Sequence, residues 1–150
     1  MLRMDVFLAN EQPVPIDEAR LSALARHVLD SEKVDDEAEL SILVIDGEHM
    51  RKLNSRFAKN DYATDVLAFP MLEGDEDSTM VGDVVLCPDV AKSNAEKLDH
   101  SLDRELEVLV VHGTLHLLGY DHKVASEKER MDKRVSEVLD EFNRDVRPAN

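Results

Sequence analysis

Three of the chain's six histidines, His112, His116 and His122, fall within one eleven-residue stretch, HGTLHLLGYDH. Residues four apart on a helix share a face, with Cβ atoms about 5–6 Å apart, so His112 and His116 can grip one ion together. Gly119 lets the chain turn sharply after the helix, and His122 can swing back to supply a third nitrogen. Three protein ligands leave a fourth position for water, which separates a catalytic zinc site from a closed structural one. Neutral imidazoles make zinc the default, one ion per chain, with nickel, copper and iron as alternatives. A lone histidine on an apolar face is ordinarily a satisfied packing residue. Two of them at i and i+4 in an apolar helix bury nitrogens that need partners, and a shared metal provides one. Asp121 is suited either to orienting a ligand ring or to capping the turn. His27, His49 and His100 are scattered and read as surface or packing residues.

The spacing His-x3-His-x2-Gly-x2-His also matches the zinc-binding part of the metzincin pattern. A metzincin protease places glutamate directly after its first histidine, as general base on the zinc water. Here that position is Gly113. Peptide hydrolysis by the usual route loses its proton acceptor, whereas metal-assisted cleavage of a phosphodiester stays open.

A second cluster is basic. Residues 51–60, RKLNSRFAKN, carry Arg51, Lys52, Arg56 and Lys59 and no acid, in a chain of 18 basic and 33 acidic residues with net charge −15. A solvated helix face would explain that stretch equally well on charge alone. The overall charge excludes a general coat for duplex DNA or membranes, because polyanion binding is driven by lysine and arginine on phosphates. Any nucleic acid must meet this local patch. No apolar run approaches the ~20 residues that span a bilayer, and the first dozen residues do not read as a secretory signal. Cys87 has no partner cysteine and reads as a small buried hydrophobe.

The elements that must position these residues follow from periodicity and punctuation. Residues 4–9 read as a strand. Asp17 is a plausible cap for a helix burying Leu21, Leu24 and Val28, and Leu40–Ile45 is a β-branched buried strand. Asp46 opens a helix with Met50, Leu53 and Phe57 on one face. Val66–Phe69 and Val81–Cys87 are two more strands, joined by the acidic stretch MLEGDEDST as a hairpin loop. Pro88 suits the first turn of a helix. A helix from about Leu102 to Leu118 is apolar nearly all round and belongs in the core, with Gly119 as its stop. Ser126-Glu127-Lys128-Glu129 resembles a capping box opening a last helix that buries Met131, Val135, Val138 and Phe142. The order β-α-β-α-β-β-α-α-α predicts one α+β domain over residues 1–150, with a mixed four-stranded sheet packed against helices. Helical crossovers favour parallel pairing of the first three strands, and the hairpin favours an antiparallel fourth. The metal site would then lie at the C-terminal end of a buried helix.

With both motifs in view, the chain resembles the YbeY family of bacterial metal-dependent endoribonucleases, also described as rRNA maturation factors. HGTLHLLGYDH matches that family's H-G-x-L-H-L-x-G-Y-D-H signature at every fixed position. Leu53-Asn54, then Thr64-Asp65-Val66-Leu67 with Phe69-Pro70, is similar to its L-N…T-D/N-V-L-S-F-P segment, and Gly82-Asp83-Val84 to its G-D-I/V strand. The resemblance implies zinc on His112, His116 and His122, a single-stranded ribosomal RNA substrate, and a role in 16S rRNA 3′-end maturation and ribosome quality control. It also implies ribosomal subunit proteins as partners; the charge, apolar runs and single cysteine read above are those expected of a cytoplasmic chain with no dealings with membranes or duplex DNA. The sequence departs from the family at several points. Ala58 stands where an arginine important for cleavage is usual, Ala63 replaces proline, Ala68 replaces serine, and Met131-Asp132 replaces methionine-phenylalanine. Arg56 or Lys59 is then the expected catalytic cation. The alternative of another class is a metal-stabilised ribosome-assembly module with little catalysis, for which Ala58 is the best support. A metalloprotease is disfavoured by Gly113.

Overall fold

The computed structural model describes residues 5–70, 79–121 and 123–145. Two sequence expectations fall outside them: nearly all of the acidic loop, at residues 71–78, and His122. Nine elements follow in order: β1 (Asp5–Glu11), α1 (Glu18–Ser31), β2 (Glu39–Ile45), α2 (Gly47–Ala58), β3 (Val66–Pro70), β4 (Met80–Leu86), α3 (Pro88–Leu98), α4 (Leu102–Leu117) and α5 (Ala125–Asp145). The order and type of the elements are those expected, in a single α+β domain.

The four strands form one mixed sheet in the order β1-β2-β4-β3. β1 pairs with β2 and β2 with β4 in parallel, while β3 runs antiparallel to β4. The expectation of three parallel strands followed by an antiparallel fourth is therefore corrected: β3 is the reversed strand, at an edge, and β4 is central. The physical reason is burial. Val84, Val85 and Leu86 are buried on both faces of the sheet, which only an interior strand allows, whereas every β3 residue keeps some exposure. The hairpin connection still keeps β3 beside β4.

One sheet face is thickly covered. Leu40, Ile42, Val44, Val84 and Leu86 point into a core completed by Leu24 and Val28 of α1, Leu106, Val110 and Leu115 of α4, and Met131 and Val138 of α5. The other face carries a small cluster, Ile45, Met50, Val85 and Cys87, under α2. Phe57 was expected inside with Met50 and Leu53 but is 59% exposed, because α2 covers only one end of this face.

Local signals start the helices. Asp17, Asp46 and Ser101 accept from the backbone N–H of Arg20 (3.1 Å), His49 (2.9 Å) and Arg104 (3.1 Å), caps worth about 1 kcal/mol each. The bonds from the His49 backbone and ring hold the Asp46 carboxyl below its ordinary pKa. Helix α5 differs from expectation. It begins at Ala125, with Lys128 N–H bonded to the Val124 carbonyl at 3.0 Å, so Ser126 is inside the helix rather than its cap. Of the scattered histidines, His49 pairs with Asp46 (2.7 Å) and His100 with Glu105 (2.8 Å), and the His27 ring packs on Phe142.

Cys87 precedes α3, where a helix N-terminus ordinarily favours a thiolate. Burial wins, and the thiol is pushed above its usual pKa. Native protein should therefore react with iodoacetamide at neutral pH at least about tenfold more slowly than urea-unfolded protein. Equal rates would show that the Cys87 pocket is open.

Candidate active site

His112 and His116 lie on the face of α4 that borders β3, and together they line a cleft of about 370 Å³. Thr64, Asp65 and residues Val66–Ala68 also border it. Both histidines are partly exposed, with the Nδ1 of His116 shut off from solvent. The i, i+4 spacing has brought two imidazoles to one opening. Thr114, between them, turns away and donates its hydroxyl to the Val110 carbonyl at 2.7 Å.

Gly113 explains why no glutamate follows His112. A Cβ there would sit 3.0 Å from Val84 Cγ1 and 3.5 Å from Val66 Cγ2. The residue faces the sheet at the closest approach of α4, so a long side chain in that position would lift the helix from its core. Packing thus disfavours a protease-type base at this position, from which it is also absent in the sequence.

The helix ends as its glycine foretells. Gly119 has φ +107°, Tyr120 N–H bonds the Leu115 carbonyl and Gly119 N–H that of His116, both at 3.1 Å, forming a Schellman turn. The turn is pinned from outside as well. The Tyr120 hydroxyl donates to the Glu32 carboxylate, which keeps the phenol protonated above its usual range. Arg134 holds Glu32 at 2.9 Å, and the Arg130 guanidinium stands 5.5 Å from the centre of the Tyr120 ring. Asp121 lies 4.0 Å from Lys123 Nζ. Among the described residues no three ligating side chains converge, the third candidate, His122, being outside them. The donor chemistry fits a divalent ion nonetheless: two imidazoles four apart on a rigid buried helix, followed by a pinned turn.

Asp65 is the residue that motif spacing alone did not single out. It supplies the sole carboxylate among the cleft's described lining residues. Asn94 donates to its Oδ2 at 3.1 Å, the Thr64 hydroxyl approaches its Oδ1 at 3.4 Å, and its carbonyl accepts from Cys87 N–H at 2.9 Å. Its signal in the sequence was weak, a polar pair at the entry to a short strand.

The expected cations are elsewhere. Arg51 is paired with Asp61 (2.7 Å) and Lys52 faces Glu48 (3.6 Å). Arg56 and Lys59 have no carboxylate partner among the described residues, and neither lines the histidine cleft. Arg56 lies 5.3 Å from the centre of the Phe57 ring, and Lys59 closes α2 in the left-handed conformation, φ +59°. Both stand beside the opposite face of the sheet.

Comparison with known proteins gives this arrangement its relatives. A model of the family described as Endoribonuclease YbeY matches residues 7–143. The chain belongs to the YbeY endoribonuclease family. An Endoribonuclease YbeY from Frankia casuarinae is 46% identical over 147 residues, 91% of this chain and 73% of the relative. One from Thermobifida fusca is 42% identical over 150 residues, covering 95% and 97%. The solution structure of TM1509 from Thermotoga maritima superposes with TM-score 0.62 at 28% identity, covering 94% of this chain and 93% of that one. YbeY membership makes the chain an endoribonuclease, and the cleft between α4 and β3 is its candidate active site. Among the described residues no helix is long and apolar enough to cross a membrane.

Proposed function

We propose that the chain is a zinc-dependent endoribonuclease specific for single strands, acting on ribosomal RNA in the cytoplasm during 16S 3′-end maturation and ribosome quality control, beside ribosomal subunit proteins. The observation that carries the metal reading is the pair His112 and His116 sharing one cleft on α4. His122, two residues past the pinned Tyr120, completes the ligand set in this proposal. When bound, zinc acts as a Lewis acid on the scissile phosphoryl group. The chain's own residues do the rest. Asp65, held by Asn94, accepts a proton at the cleft wall. Arg56 and Lys59, outside the cleft, hold the negative strand after it leaves, and the catalytic part of the arginine that Ala58 replaces would fall to one of them only if the bound strand or helix α2 brings it to the phosphate.

The assembly-module alternative keeps one specific support, Ala58 at the end of α2. One experiment separates the readings: purified protein is incubated with single-stranded rRNA fragments, with chelator and with His112→Ala as controls. Cutting abolished by both controls is the expected result. Tight binding without cutting selects the assembly module, and cutting that survives chelator removes the metal from the mechanism. Unfolded casein serves as counter-substrate, and its cleavage by wild type but not His112→Ala would return the protease reading.

A further inference from the structure

Among the described residues, the face of the sheet turned away from α4 is covered only at the α2 end, and one row of residues crosses it. Strand register aligns Phe7 of β1 with Ser41 of β2, Ser41 with Asp83 of β4, and Asp83 with Phe69 of β3. Aromatic rings thus stand at both ends of a row whose middle is a hydroxyl and a carboxylate. Three strand spacings separate the two rings, about 14 Å. Beside the row lies an apolar trough of about 690 Å³, into which Leu43, Val85 and the exposed Phe57 also project. Phe57 meets Phe69 edge-on, with centroids 5.6 Å apart. Phe7 is 55% exposed and has no aromatic partner among the described residues. Asp83 is exposed, and its carboxylate makes no hydrogen bond or ion pair among the described residues.

We propose that this row is a base-binding platform for the RNA strand, with Phe7 and Phe69 stacking on bases and Asp83 selecting guanine between them. The inference rests on the RNA reading above and adds to it a sequence preference. Charge decides the occupant. In a chain of net charge −15, Arg56, which has no carboxylate partner among the described residues, stands 5.3 Å from the ring of Phe57 at the trough's edge, with Lys59 following at the cap of the same helix, a place where a polyanion's backbone could run. A four-stranded sheet presenting aromatics on one face is a shape that takes unstacked bases, which are then read on their Watson–Crick edges. Guanine alone among the four offers two adjacent N–H donors there, N1 and the 2-amino group, matched to the two oxygens of a carboxylate. β3 is the edge strand, with the histidine cleft on one of its faces and the trough on the other. A strand passing around it can place a phosphodiester in the cleft and a nearby base on the platform.

The test is binding of labelled dodecamers by fluorescence anisotropy, with chelator present so that no strand is cut. All-uridine RNA is compared with the same strand carrying one central guanosine, or inosine, which lacks the 2-amino group. Wild type should prefer the guanosine strand about tenfold, with inosine between. Asp83→Ala should bind all three as it binds uridine. Phe7→Ala, an exposed edge-strand change, should weaken every strand about tenfold and keep the preference. Folding of both variants is checked by circular dichroism. RNA binding that ignores both substitutions overturns the platform and leaves the nuclease reading standing. No RNA binding by wild type overturns both. Self-association or capture of an apolar peptide, lost in Phe7→Ala while RNA binding is unchanged, would make the face a protein-docking surface and sink the proposal.

Discussion

His116→Ala is expected to reduce bound divalent metal from about one ion per chain to near none, and to slow RNA cutting by at least about 100-fold. The two imidazoles act as a pair because a helix places them on one face, and the remaining histidines cannot enclose a tetrahedral ion. The fold should survive. His116 is only partly buried, and α4 keeps Leu106, Val110, Val111 and Leu115 in the core. Elemental analysis of the purified variant, with circular dichroism as control, decides the matter. Metal content equal to wild type in a folded His116→Ala protein would remove the site.

Gly82→Ala is expected to be the most damaging glycine-to-alanine change among the described residues, at about 3–5 kcal/mol. Gly82 has φ +151°, and a Cβ there would stand 2.5 Å from the Phe69 carbonyl oxygen, 3.1 Å from Pro70 Cα and 3.0 Å from Leu117 Cδ2. Two of the three obstacles are backbone, so no rotamer change relieves them, and β3 must move from β4. Gly113→Ala meets a side chain, Val84 Cγ1 at 3.0 Å, which gives more readily, and should cost about 1–2 kcal/mol. Gly119→Ala meets nothing within 4 Å and should cost about 1 kcal/mol through its positive φ alone. Urea midpoints at unchanged slope give the ranking. A Gly82→Ala midpoint above that of Gly113→Ala would contradict the close approach of β3 to β4.

The features that the sequence determined by itself are local. The i, i+4 histidines share a helix face whatever surrounds the helix, and Gly119 stops that helix because its own backbone permits the left-handed turn. Asp17 and Asp46 cap their helices through bonds spanning three residues. The order and type of all nine elements follow from the same short-range periodicities, and the family from motifs written in consecutive residues. Tertiary structure decided whatever depends on which strands are neighbours. Pro70 is a local hint of an edge, but nothing local to Val66–Pro70 says that it runs backwards. The burial of Val84, Val85 and Leu86 on both faces settles that by claiming the central place for β4. From strand order follow the remaining outcomes: Asp65 joins the histidines, Gly113 is pressed on Val84, Arg56 and Lys59 stand away from the cleft, and Phe57 lies exposed. The row of Phe7, Ser41, Asp83 and Phe69 joins residues up to 76 positions apart through register alone, and a register between distant segments is set by the shared core face, not by either segment's own residues.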